Sequence, residues 1–580
     1  MLNNKQLNFI LAVFLFLLFC SNVHPFHTHP LRNFFHDFLS VFALVTGIGL
    51  LVCVPKVELR VPSAIAVPVG LAIVVALQVF NGFISQPMDS FYPLVDFLCL
   101  GLAMILGATL IPDSGDLPTL SQNFSWFFVC LGLISVLFQH VQLAGLHAMP
   151  IVMDTDHNAA LRPFANFAQP NILALILCLA LASVWWLYST RKITARISVG
   201  MVIPLLWGIT LTQSRIGWII LPIFMMVCWF QPPDTAPLYR RVLLGLMLLY
   251  IALVLTAPGL LAHAGIFIET AGERAGQTSV RTVLWQQAWA MSVLHPWFGV
   301  GWLQFGVHQV QLAAFFKPTE LSDYAHNIIL NFVAELGWPI TILLVVCTTY
   351  WFKSSCLSRW QKPEVRYFSL IFLAIAAHSM VEFPLWNATI LIPFGVMVGA
   401  VHNKDLGVSK IGLSRPWIIS FLILSLSFMA FACWDYVRVV NTFQALRQRG
   451  PTTTVAAESI NPGFTLFPQY YDFFRIDQVN VYPGMPRGDI AFLEKMSLNF
   501  GFPPVLERLA LAYAINNRQR EALQVLISYQ HLHEIYYPRV YKMWQTYATD
   551  QPEIFAEIFK RMPVPKDDTL RPNDKIAPSN

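Results

Sequence analysis

The chain has 580 residues, of which 56% are hydrophobic and 14% aromatic, while only 12% are charged, against roughly 25% charged in soluble domains. A soluble globule cannot keep that much apolar surface from water, so composition excludes a soluble enzyme and makes the bilayer the solvent. The formal charge of +5 belongs to short basic loops and gives no nucleic-acid surface, so no nucleic-acid partner is expected.

Apolar runs of about 15–25 residues predict an all-α polytopic membrane protein with about thirteen transmembrane helices. They lie near residues 7–23, 36–54, 63–82, 91–112, 124–145, 170–190, 197–213, 215–230, 242–262, 326–352, 367–381, 388–402 and 416–435. After the first run, "CSNVHPFH" lacks a small-residue cleavage pattern and another span follows at once. The run therefore reads as a retained anchor and not as a signal peptide. The basic loops are "PKVELR", "RKITAR", "LYRR", "KSSCLSRWQKPEVR" and "HNKDLGVSKIGLSR". With thirteen spans all five fall on one side, which must be the cytoplasm. The loop "PDSGDLPTLSQ", expected on that side, carries no positive charge and lends no support. The N-terminus is then inside, and everything beyond Trp434 outside. All nine cysteines fall in predicted spans or on the cytoplasmic side, with no CxxC or Cys/His metal spacing. Neither disulfides nor structural zinc are expected. Exclusion of thiols from an oxidising compartment accounts for this, and so does cysteine's use as a small buried hydrophobe.

Three outward segments interrupt the pattern, giving an organisation of 1–160 (first spans), 161–435 (a core containing a large loop at about 263–325) and 436–580 (a soluble tail). The first is "HAMPIVMDTDHNAALRPFANFAQPN". The second is the loop, in which Trp285, Trp289, Trp297 and Trp302 predict helices lying at the membrane interface. A long loop in a compact architecture is usually functional or structured in its own right. The third is the tail, where "AFLEKMSLNF", "PVLERLALAYAINN", "REALQVLISYQHLHEI" and "PEIFAEIFKRM" show helical spacing with charged opposite faces. One pair of these reads as a tetratricopeptide-like hairpin, although a plain small helical domain explains the same pattern.

The stretch "YAHNIILNFVAELGW" opens a span yet carries His326, Asn327, Asn331 and Glu335. Asn327, Asn331 and Glu335 recur at i, i+4, i+8 and predict one polar stripe, with His326 at the head of the helix. Glu335, ~12 Å along the helix from Asn327, reads as a structural partner in the bundle. Arg215 in "LTQSRIGW" and Arg281 at the start of "RTVLWQQAW" fall on the same outer face under this topology. Two guanidiniums and an imidazole suit a site that holds phosphate and activates a hydroxyl: arginine offers a permanent charge and a fork matched to phosphate oxygens. Histidine titrates near neutrality and serves as a general base. Each has a plainer alternative: Arg215 snorkelling to headgroups, Arg281 anchoring lipid, His326 as a polar residue binding backbone or water at a helix start.

These residues carry a resemblance. "AHNIILNFVAELGW" after a large outward loop resembles the His-Asn…Glu-x-Gly signature of the O-antigen ligase and polymerase superfamily. "RPFANFAQPNILA" and "HSMVEFPLWNATILIPFGVMVG" followed by a helical tail are similar to the PglL-type bacterial O-oligosaccharyltransferases. Ala165 and Ala168 stand where such ligases often have glycine. The resemblance implies transfer of an oligosaccharide from undecaprenyl diphosphate to Ser or Thr hydroxyls of exported proteins, a pilin among the possible acceptors, at the periplasmic face of the bacterial inner membrane. It implies His326 as base or acceptor-orienting residue and Arg215 and Arg281 as diphosphate binders. Asn327, Asn331, Glu335, Asn166, Gln169 and Asn171 are supporting residues, and no cofactor is expected. Asp154, Asp156 and His157 in "MDTDHN" form a D-x-D pattern that elsewhere holds a divalent cation. Arginines take the cation's role in the superfamily, so no metal is expected. The alternatives are an O-antigen polymerase or lipid A core ligase, with a sugar acceptor, and a flippase of lipid-linked glycans, for which paired broken helices in repeated halves would be the sign.

Overall fold

The computed structural model describes residues 4–54, 57–111, 117–146, 149–155, 162–229, 237–268, 270, 272, 281–412, 414–448, 460 and 462–565. Within them the chain is mostly helical, as expected where, in hydrocarbon, each long apolar run must satisfy its own backbone groups. Among the described residues nine helices are long and apolar enough to cross a membrane: Phe34–Val52, Ser63–Phe80, Met88–Leu110, Leu117–Leu143, Pro170–Ser189, Ala195–Thr212, Arg240–Ala262, Trp338–Arg359 and Ile419–Gln448. Shorter apolar helices are Lys5–Cys20, Arg215–Trp229 and Ala388–Val401, and the expected run 367–381 falls on helix Pro363–Ser379. The chain is a multi-pass membrane protein.

Its contacts divide it into two compact units. The first comprises Met1–Ala72, Pro93–Thr278 and Leu344–Phe431. Its core is aromatic and aliphatic, with Phe124, Phe128, Trp186, Tyr367 and Phe368 fully buried. The only strands among the described residues are here: Leu59–Pro62 pairs antiparallel with Val408–Ile411, joining the loops "PKVELR" and "HNKDLGVSKIGLSR".

The second unit comprises Ile73–Tyr92, Ser279–Leu343 and Ala432–Asn580. Its tail consists of helices Pro468–Ile476, Arg487–Asn499, Pro503–Ile515, Gln519–Leu532, Tyr537–Asp550 and Pro552–Arg561. They close over Leu493, Leu509, Leu526, Tyr529, Trp544 and Phe555. The outward loop joins this core: Val310 and Ala313 pack into it, and Thr319 N donates to His531 O at 2.7 Å.

Two expectations are corrected. Run 326–352 is not one helix: Ile328–Leu336 ends at Gly337, with φ 80° and ψ 170°, and a new helix, Trp338–Ser355, begins at once. A side chain is disfavoured at that φ, and a Cβ on Gly337 would meet the Trp297 carbonyl at 2.6 Å. The four loop tryptophans also do not share one environment. Trp289 and Trp297 are 53% and 70% exposed, whereas Trp302 is 4% exposed and packs on Phe332.

Candidate active site

In the first unit the outward segment is fastened by amides. Gln142 on helix Leu117–Leu143 donates to Met153 O and Ala165 O, and its oxygen accepts from Phe164 N and Ala165 N. Asn166 accepts from Met153 N at 2.9 Å and donates to Ile151 O and Asn22 O. A buried amide holds an irregular loop because it satisfies both donor and acceptor backbone groups. Asn166 is thereby a clamp of the loop. Ala165 and Ala168 have φ of 51° and 54°, the left-handed conformation in which glycine costs least.

This loop delivers Gln169 and Asn171 to the start of helix Pro170–Ser189. Asn171 Nδ2 donates to Glu382 Oε1 at 2.8 Å and Gln169 Nε2 to Glu382 Oε2 at 3.3 Å. Ser214 Oγ donates to Asn171 Oδ1 at 2.7 Å. The next residue, Arg215, is the first of helix Arg215–Trp229. Gln169, Asn171, Glu382 and Ser214 thus form one chain of hydrogen bonds that ends beside Arg215. Glu382 and Ser214 were not singled out from sequence. A carboxylate within "HSMVEFPLW" is a functional hint by intramembrane cost, and that signal was available.

In the second unit helix Arg281–Leu294 packs against helix Ile328–Leu336. Leu284, one turn in from Arg281, and Ala325, which precedes His326, share a small core with Met291, Phe305 and Ala334. Arg281 and His326 are therefore carried by the facing ends of packed elements, whereas Arg215 belongs to the first unit. His326 has φ 49°; such a conformation for a non-glycine residue costs energy and gathers at functional sites. It is held on both sides. Asn331 Oδ1 accepts from Ala325 N at 3.0 Å, and Asn327 caps the helix, accepting from Ile329 N and Leu330 N at 3.1 Å. The expected stripe is thus corrected in detail: Asn327 precedes the helix as its cap, and Asn331 turns back toward the segment before it.

The Glu335 carboxylate serves the loop. Its Oε1 accepts from Phe305 N at 3.3 Å. The end of its helix is covered by "HPWFGVGW". Val300 N donates to Ala334 O at 2.8 Å and Gly301 N to Glu335 O at 3.1 Å, satisfying carbonyls a helix end leaves open. Gly299, at φ 65°, lies too close to the Glu335 carbonyl for any Cβ. Gln78 completes the tie, donating to Glu335 O and Phe298 O and accepting from Trp302 N; it too was not foreseen.

Asp156 and His157 lie outside the described residues, so the D-x-D pattern is described only at Asp154, whose carbonyl accepts from Arg32 Nη1 at 3.3 Å.

Residues 200–345 match the O-antigen ligase family, and residues 367–549 match the family described as virulence factor membrane-bound polymerase, C-terminal. The first match contains Arg215, Arg281 and His326; the second contains Glu382 and most of the tail. The chain is 24% identical over 563 residues to a general O-oligosaccharyltransferase of Acinetobacter baylyi, covering 92% of this chain and 95% of that protein. It is 22% identical over 356 residues to a ComP-specific O-oligosaccharyltransferase of the same organism, covering 60% of this chain and 63% of that one. By these matches the chain is similar to the O-antigen ligase family over part of its membrane region and to O-oligosaccharyltransferases over most of its length.

Proposed function

We propose that this enzyme is a glycosyltransferase that moves a preassembled oligosaccharide from undecaprenyl diphosphate to Ser or Thr hydroxyls of exported proteins, at the periplasmic face of the inner membrane. The observation that carries the reading is His326, kept in a left-handed conformation between two asparagine clamps beside the Arg281 helix. Strain maintained by surrounding hydrogen bonds is what a positioned base requires. His326 takes the proton of the acceptor hydroxyl, a weak nucleophile until a base assists it. Arg215 and Arg281 hold the diphosphate and stabilise the charge it gains on leaving. Each opens a helix, where a cation is disfavoured by roughly 0.3–1 kcal/mol and an anion is favoured. An anion bound there reverses that cost. Gln169, Asn171 and Glu382 shape the donor side, and no metal takes part.

The topology proposed is thirteen spans with the N-terminus in the cytoplasm and a periplasmic, tetratricopeptide-like tail after about residue 436. Two pairings support its sidedness. The strands Leu59–Pro62 and Val408–Ile411 join two loops assigned to the cytoplasm. Asn166 and Arg32 join two segments assigned to the periplasm. A protein acceptor is preferred over a sugar because both relatives named above are O-oligosaccharyltransferases; a pilin is one acceptor to try.

The test is reconstitution: purified chain, lipid-linked oligosaccharide and a panel of exported proteins, read by a mass shift on the acceptor. Glycan joined to protein supports the reading. Glycan joined only to lipid A core or to another glycan makes it a ligase or polymerase, and movement across vesicles without transfer makes it a flippase.

A further inference from the structure

Helix Arg281–Leu294 is apolar on two faces, and Arg281 is its only charged residue. The inner face, Leu284, Ala288 and Met291, is buried in the small core shared with Ala325 and Ala334. The outer face, Trp285, Trp289 and Val293, recurs at i, i+4, i+8 and is exposed. A helix that is apolar all round needs cover on both sides, from protein or from lipid. The exposed face does not stop where the helix does. Trp297 and Phe298 extend it, and the Phe298 ring packs at 6.4 Å on Phe83. Phe83 lies just past the apolar helix Ser63–Phe80, whose last residue is 87% exposed. Gln78 fixes this corner by donating to Phe298 O at 3.0 Å. Single exposed apolar residues are ordinary, but a contiguous aromatic band marks a surface of association.

What covers the band follows from where it ends. On one side it runs into Phe80, the end of an apolar helix long enough to cross a membrane. On the other, the Trp289 ring meets Trp338 at 5.6 Å. Trp338 opens the next such helix, where Ile342 and Leu343 continue the exposed apolar surface. Rings at the ends of spans sit at headgroup level, where an amphipathic indole is favoured. We propose that this band is a membrane-docking surface: helix Arg281–Leu294 lies along the bilayer interface, its outer face set among phospholipid headgroups and upper acyl chains. The surface is assembled from two chain segments and excludes Trp302, which is buried against Phe332. The inner face packs on Ala325, next to His326, so the bilayer supports the segment that carries the proposed base. On the reading that Arg281 holds the donor diphosphate, the same docking keeps Arg281 at the depth of that diphosphate.

The test is photocrosslinking of the full chain in vesicles of phosphatidylethanolamine and phosphatidylglycerol. Benzoylphenylalanine is placed at Trp289, at Trp297 or, as a control, at Ile535, an exposed residue of the tail. Mass spectrometry should find phospholipid adducts at both tryptophan positions and none at Ile535. Crosslinked dimers in place of lipid adducts, no adduct at either tryptophan position, or lipid adducts in equal yield at Ile535 would overturn the docking surface. Kinetics separate it from the donor reading: Trp289→Gln combined with Trp297→Gln should raise the KM for lipid-linked donor at unchanged melting. An unchanged KM, with lipid adducts present at both positions, keeps the docking surface and counts against Arg281 as a donor contact.

Discussion

The left-handed backbone of His326, at φ 49°, depends on the clamps around it, Asn331 on Ala325 N and Asn327 on Ile329 N, and no residue type announces it. At Arg215 and Arg281 the fork of the guanidinium matters more than its charge. Arg215→Lys and Arg281→Lys should each lower transfer at least about tenfold at unchanged membrane abundance, measured by acceptor glycosylation. Normal transfer in both would return these arginines to lipid anchoring. Glu335→Ala strips the Phe305 N–H of its acceptor and should cost about 1–3 kcal/mol at any pH.

Among the elements, periodicity found nearly every helix but read Ile328–Leu336 and Trp338–Ser355 as one. A stripe at i, i+4, i+8 in a long apolar run reads as one span, and only the packing of "HPWFGVGW" against its carbonyls requires the break at Gly337. The loop of residues 149–155 and 162–171 is held by side chains distant in sequence, which no local pattern announces. Part of its anchorage is a histidine cluster in the segment that follows the first helix. The His24 ring lies 5.1 Å from His27 and 4.4 Å from His36. Burial lowers His24 to about 4 and His27 below its usual value. The unfolded chain then takes up protons first, so stability should fall as pH drops below about 6.5, by up to about 1.4 kcal/mol per unit for each fully buried ring. Melting between pH 7.5 and 5 should show this slope, and His24→Gln should flatten it; an unchanged slope would remove the cluster from the pH response. Glu382 holds the start of helix Pro170–Ser189 through Gln169 and Asn171, and Ser214 joins them through Asn171. Glu382→Gln, which keeps the shape but exchanges an acceptor for a donor facing another amide, should reduce transfer more than stability.

For the whole molecule, composition alone assigned the solvent, and the apolar runs located the helices. The sharing of a core between the outward loop and the tail was invisible, because Val310 and Ala313 are ordinary apolar residues until Leu509 and its neighbours surround them. Sidedness is tested by thiol labelling: introduced cysteines within Lys353–Arg366 should react only from the cytoplasm, and those beyond residue 462 only from the periplasm. A cytoplasmic tail would overturn the topology and the external site with it. The central claim is chemical, and the most direct measurement of it is acceptor glycosylation by His326→Ala beside its membrane abundance and melting. Base catalysis contributes about 10²–10⁴-fold, while removing the side chain from a strained, half-buried position should cost little stability. The account predicts transfer lost by at least about a hundredfold in a protein that accumulates and melts like wild type; transfer near the wild-type rate would contradict it.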